Sequence, residues 1–129
     1  MIGVRHSTDS APQAELSGTQ ADLIELREAV LRFCRLKRPI LEAAVDPTPA
    51  PDRVLGLRFV RTDSKIRAEV EGGRMLVSGR RDHLEALAWS LPCDAARGAG
   101  RVLFDAAGRP DRVQSGSVPL VFVLSESGS

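Results

Sequence analysis

Two adjacent glycines, Gly72-Gly73, constrain this chain more than any other feature, because they separate two runs whose apolar residues alternate. Glycine takes the positive φ that tight two-residue hairpin turns require, so the pair predicts a hairpin between residues 66–71 and 74–78. A two-residue loop sets Glu71 opposite Arg74, Val70 opposite Met75 and Ala68 opposite Val77, and apolar residues land together. Residues 54–61 also alternate, with Leu55, Leu57 and Phe59 on one face. If the loop at 62–65 closes a second hairpin, Phe59 meets Ala68, Leu57 meets Val70 and Arg58 meets Glu69. Both hairpins then share one apolar and one charged face, with Val60 and Leu76 as exceptions on the latter. The expectation is a three-stranded antiparallel meander, since a one-residue slip would exchange the faces.

The remaining elements follow from periodicity. Leu84, Leu87, Ala88 and Leu91 mark a helix over about 80–91, with Asp82 in its first turn and Pro92 ending it. Short strands are predicted at 101–105 and at 118–124, the second apolar enough to be covered on both faces. Upstream, Leu23, Leu26, Val30, Phe33 and Cys34 form the stripe of an amphipathic helix over 20–38, with Thr19 and Asp22 as a capping pair. This helix is the natural cover for the last strand. Pro39 ends or kinks it, and residues 40–45 are read as a short further helical piece. Residues 1–18 lack apolar periodicity and read as a disordered tail. Residues 46–53, with alternating prolines, read as an extended linker. The fold class is therefore α+β: a helical arm at 19–45, then a β-β-β-α-β-β module at 54–125, an antiparallel sheet with one helix on its apolar face. No internal repeat is visible.

Composition narrows the function. With 129 residues, 43% apolar, and a formal net charge of +1, the chain is the size of one domain and does not call for nucleic acid or an anionic membrane. Four phenylalanines and one tryptophan are few stacking platforms for single-stranded nucleic acid. Cys34 and Cys93 match no metal-ligand spacing and follow no apolar leader, so they read as reduced thiols in a cytoplasmic protein.

The sequence completes no catalytic pattern. Glu71-Gly72-Gly73-Arg74 leads into a strand rather than a helix, which makes it a turn and not a phosphate loop. His83 has no ligand-spaced companions and reads as a boundary or surface residue. Asp82, His83 and Ser78 or Ser90 point in different directions and do not compose a triad. Asp94 beside Cys93 opposes a reactive thiolate. Glu69 and Glu71 alternate with Arg58, Arg67 and Arg74, the pattern of a solvated sheet face rather than of a carboxylate pair. No catalytic residue, metal or cofactor is assigned.

Binding is better supplied. Trp89 lies about 140° round the helix from Leu84, in the company of Glu85 and Ala86. It is either a hot spot for another protein or a residue covered by the tail, linker or N-terminal helix. The expected partner-binding residues are Trp89, Glu85 and Arg81, with Arg58 and Glu69 on the charged sheet face. The alternative is a nucleic-acid-associated regulator using Arg80, Arg81, Arg97, Arg101, Arg109 and Arg112, although aspartates interrupt these.

Met75-Leu76-Val77-Ser78-Gly79, then Leu84, Leu87-Ala88 and Leu91, then Val102-Leu103-Phe104-Asp105 and Ser117 with Leu120-Val121-Phe122, resembles small bacterial immunity-type proteins of polymorphic toxin systems. The resemblance spans about residues 66 to 124. It implies a hairpin, one helix and a second hairpin, in a cytoplasmic protein that occludes a cognate toxin without enzymatic activity.

Overall fold

The computed structural model describes residues 2–7, 13–36, 38–46, 53–93 and 100–125. Much of the expected linker, residues 47–52, and residues 8–12 of the expected tail lie outside the described residues. In chain order the elements are β1 (Gly3–Ser7), β2 (Gln13–Gly18), α1 (Gln20–Arg35), β3 (Ile40–Ala43), β4 (Gly56–Arg61), β5 (Arg67–Glu71), β6 (Arg74–Gly79), α2 (Arg81–Trp89), β7 (Arg101–Phe104) and β8 (Leu120–Leu124). The chain is α+β, with two four-stranded sheets ordered β1-β2-β8-β7 and β3-β4-β6-β5.

The glycine pair turns as its chemistry requires, with φ of 60° at Gly72 and 76° at Gly73. The β5-β6 register is the one the turn dictates, Glu71 to Arg74, Val70 to Met75 and Ala68 to Val77. The meander, however, does not form. β4 runs antiparallel to β5, but β6 inserts between them and pairs with β4 in parallel, Leu57 to Met75 and Phe59 to Val77. Residues 62–66 thus bridge two strand spacings, roughly 10 Å, which a short extended loop spans. Alternation with period two fixes which face is buried and not which strand is the neighbour. Leu57, Phe59, Ala68, Met75 and Val77 are accordingly all buried, as the pattern requires. Leu55 is an exception: it precedes β4, donates its N–H to the Gly73 carbonyl, and is exposed.

Three further expectations are corrected. Residues 3–7 and 13–18, expected to be a disordered tail, are an antiparallel pair whose Val4, Ala14 and Leu16 are buried. The pattern in β2 is a strict alternation of buried and half-buried residues, short enough to be masked by the polar residues before it. Residues 40–43 are a strand rather than a helical piece, because Pro39 breaks the helix and β4 offers a free edge. The arm and the module are not separate, since β3 pairs with β4 and β2 pairs in parallel with β8.

α1 begins with the capping pair: the Asp22 N–H donates to Thr19 Oγ1 at 3.2 Å, and the Thr19 N–H donates to Asp22 Oδ2 at 3.0 Å. Its predicted stripe, Leu23, Leu26, Val30, Phe33 and Cys34, is buried. β8 is buried on both faces at Val121 and Phe122.

The two sheets reveal an internal repeat that the sequence conceals. β1-β2-α1-β3-β4 and β5-β6-α2-β7-β8 are the same unit, each element lying 61 to 64 positions after its counterpart, from 18 to 79 at the glycines and from 2 to 66 at the isoleucines. Each sheet takes one hairpin from each unit and joins them by a parallel central pair. The inward-facing row Val4-Leu16-Phe122-Val102 of one sheet matches Ala68-Val77-Phe59-Leu41 of the other, each buried except for its last, half-buried member. Bridges between Ile2 and Val45 and between Ile66 and Val113 are likewise equivalent. They cover the outer edges of β1 and β5, which would otherwise present unpaired backbone groups. Gly18 and Gly79 share a cause: a Cβ on either would lie 3.0 Å from Ile2 Cδ1 or 2.9 Å from Ile66 Cγ1.

Candidate functional site

α1 and α2 pack with their directions opposed, Cys34 Sγ lying 3.8 Å from the Arg81 carbonyl at one end and Arg27 against Trp89 at the other. Because α2 turns its leucines to the sheets, Trp89 emerges on the opposite side and is 64% exposed. The Arg27 guanidinium lies 5.3 Å from the ring centroid, a cation–π contact that restrains the indole while leaving it open to solvent. One turn before, Glu85 accepts from Arg81 Nε at 2.8 Å, so Arg81, Glu85 and Trp89 form a single line along α2. These three expected residues come together. Arg27 was missed, because its place on the flank of the α1 stripe has meaning only once α1 is known to pack on α2.

Arg58 and Glu69 do not join this surface. They lie on the outer face of the β3-β4-β6-β5 sheet, separated by Leu76, with which each is in register. Together with Glu71, Arg74 and Leu76 they line a cavity of about 190 Å³. Arg58 there pairs with Glu42, and Arg67 with Glu69.

The arginines of the nucleic-acid alternative are mostly engaged within the chain. Arg80 makes two hydrogen bonds to Asp82, of 2.7 and 2.9 Å, and these hold the Asp82 carboxyl well below the usual carboxylate range. Arg81 pairs with Glu85, Arg109 stacks 5.0 Å from the Phe104 centroid, and Arg112 reaches the Asp82 carbonyl at 3.5 Å. Arg97 lies outside the described residues.

His83 is buried rather than at the boundary, between Arg80 Nη2 at 3.4 Å and Arg112 Nη1 at 3.5 Å. Its two ring nitrogens thus each face a guanidinium group. Ser90 donates to the Ala86 carbonyl and Ser78 to the Arg67 carbonyl, so neither hydroxyl addresses the imidazole.

Both cysteines are buried. Burial pushes the Cys34 thiol up, with the Glu85 charge adding to it, and burial likewise pushes up Cys93. A raised folded value means that the neutral thiol is favoured, so this stabilisation is full below about pH 8.5 and is lost as pH rises further. Ellman's reagent at pH 8 should therefore modify neither thiol rapidly in the native protein and both at once in denaturant. Rapid native labelling of Cys93 would contradict its burial.

A second cavity, of about 230 Å³, opens between α1 and β3. Its floor includes Leu26, Leu41 and Ala43, and its lining carries Asp22, Glu25 and Glu42. No sequence pattern announced it, because it depends on β3 being a strand.

No protein-family model matches the chain, and comparison with curated proteins and with solved structures finds no match. Among the described residues no helix is long and apolar enough to cross a membrane, and no group of three or more histidine, cysteine or acidic residues is placed to hold a metal ion.

Proposed function

We propose that this protein is a non-enzymatic binding module of the cytoplasm that docks another protein on the α2 surface centred on Trp89. Support comes above all from the tryptophan itself, 64% exposed yet held by Arg27. A large apolar ring with only two rotatable bonds, biased toward one orientation by its cationic neighbour, loses little conformational freedom on docking, which is the property of interface anchors. Arg81 and Glu85 supply a polar rim beside it. The resemblance of residues 66–124 to immunity-type proteins makes a cognate toxin the partner class to test first.

Trp89 is the single tryptophan of the chain, so its fluorescence reports on its own surface. The test is to co-purify the product of the adjacent gene with the full chain, and then to titrate the purified pair. The indole emission should shift to the blue on binding. Trp89→Ala should weaken the complex about tenfold or more while lowering folding stability by no more than about 1 kcal/mol, the size of an exposed cation–π contact such as the one with Arg27. Unmoved emission together with an unchanged affinity of the variant would remove Trp89 from the interface.

A further inference from the structure

The bridges at Val45 and Val113 close the outer edges of β1 and β5, which leaves β7 and β3 as the sheet edges that carry no pairing among the described residues. The backbone groups that each edge presents follow from its hydrogen bonds. The Leu124 N–H donates to the Gly100 carbonyl at 2.7 Å, and hydrogen-bonded positions alternate with non-bonded ones in an antiparallel pair, so Val102 and Phe104 are the residues of β7 that bond β8. Arg101 and Leu103 therefore turn their N–H and C=O groups outward. The Arg61 N–H donates to the Pro39 carbonyl at 2.9 Å, and by the same alternation β3 turns out Ile40 and Glu42.

The two edges occupy equivalent places in their sheets, but their side chains differ. On β7, Leu103 is 54% exposed, with Arg101 two residues before it and Asp105 two residues after. Arg101 has no ion pair among the described residues, and Asp105 commits only Oδ1, which accepts from the Gly108 N–H at 2.8 Å. Against an antiparallel second copy of β7 few registers are open, because outward-turned residues must face one another. Centred on Leu103, the pairing sets Leu103 against Leu103, Arg101 against Asp105 on both sides, and Val102 against Phe104. Centred on Arg101 it opposes like charges, and centred on Val102 or Phe104 it sets a charge against Leu103. On β3 the residue equivalent to Leu103 is Glu42, so the same operation opposes two carboxylates. One edge is self-complementary and the other is self-repelling.

We propose that this chain pairs with a second copy of itself through β7, antiparallel and centred on Leu103, so that two β1-β2-β8-β7 sheets become one continuous sheet. The two Leu103 residues donate N–H to each other's carbonyls across the twofold axis, and their side chains meet on the outer face. An Arg101–Asp105 contact flanks them on either side. On the inner face Val102, half-buried at the rim of the core, is covered by the facing strand. A twofold interface of this kind is closed: it consumes the β7 edge of both copies, and the β3 edges repel, so association stops at two. The pairing makes no use of Trp89 and stands apart from the function proposed above.

Sedimentation velocity of the full chain is the test. A pairing over residues 101–105 is a small interface, so the monomer–dimer midpoint should fall at about 10 to 100 µM, within a series run from about 1 to 500 µM. Arg101→Glu and Leu103→Lys, both at exposed positions, should each weaken the dimer about tenfold or more. Asp105→Arg should do the same, since it opposes arginine to arginine. An equimolar mixture of Arg101→Glu and Asp105→Arg restores an opposite-charge pair on both sides of the axis, and should dimerise with a midpoint within about threefold of the parent's. Asp105→Arg also removes the acceptor of the Gly108 N–H, and if it does not fold the two variants at exposed positions keep the test decisive. A parent chain that stays monomeric throughout, a dimer whose midpoint neither exposed-position variant moves, or a mixture of folded variants that does not pair would overturn the proposal.

Discussion

Removal of residues 1–18 should leave a chain with no cooperative unfolding transition. Ile2, Val4 and Leu16 are at most 3% exposed, and burying three such side chains contributes roughly 5 to 9 kcal/mol. That is comparable to the entire stability of a typical domain, about 5 to 15 kcal/mol. The deletion would also take the parallel partner from β8, exposing the backbone groups that bond Ala14 through Gly18. The Ile2 carbonyl, which accepts from the Asp46 N–H at 2.7 Å, and the Val4 carbonyl, which accepts from Val54 at 2.8 Å, would go as well, releasing the loop after β3. Thermal melts followed by near-ultraviolet circular dichroism measure this directly. A disordered tail would be removable with almost no effect, so a truncated chain melting within about 0.5 kcal/mol of the parent would refute the strand assignment.

The contrast shows where sequence reasoning held and where it gave out. Gly72-Gly73 specified the β5-β6 register to the residue, because turn geometry is local and allows one pairing. The α1 stripe and its Thr19–Asp22 cap were also local, and both stand. The neighbours of β4 were not legible. Leu57 and Phe59 suit Val70 and Ala68 in an antiparallel pair as well as Met75 and Val77 in a parallel one, and only the assembled sheet distinguishes them. The repeat was hidden for a related reason. Its units share Ser17-Gly18 with Ser78-Gly79, Leu23 with Leu84, Leu26 with Leu87, and Phe59 with Phe122, but few exposed positions, and the connections at 44–55 and 105–119 differ in length. Buried positions need only volume and apolarity, so two equivalent units can drift until what remains looks like ordinary patterning. For the site, Trp89 was legible as an off-stripe aromatic, whereas Arg27 and the cavity between α1 and β3 required tertiary contacts.

Phe59→Ala and Phe122→Ala should each cost about 3 to 5 kcal/mol, and both should act on one and the same transition. The two rings are fully buried, and each occupies the same place in its sheet, opposite Val77 in one and Leu16 in the other. Phe122 has an added neighbour, the Phe104 ring at 6.2 Å and 38°, where Phe59 has only the Ala43 methyl at the equivalent place. The second substitution should therefore be the costlier, by about 0.5 to 1.5 kcal/mol. The shared transition follows from how the units interlock. Since each sheet holds one hairpin from each unit, neither unit can open without dismantling both sheets, and α1 and α2 pack across the same core. Urea unfolding monitored by Trp89 fluorescence and by far-ultraviolet circular dichroism should give coincident curves for both variants, with an unchanged slope and a lowered midpoint. Two separated transitions, each sensitive to only one substitution, would mean that the sheets are independently stable, and the interlocked core would have to be given up.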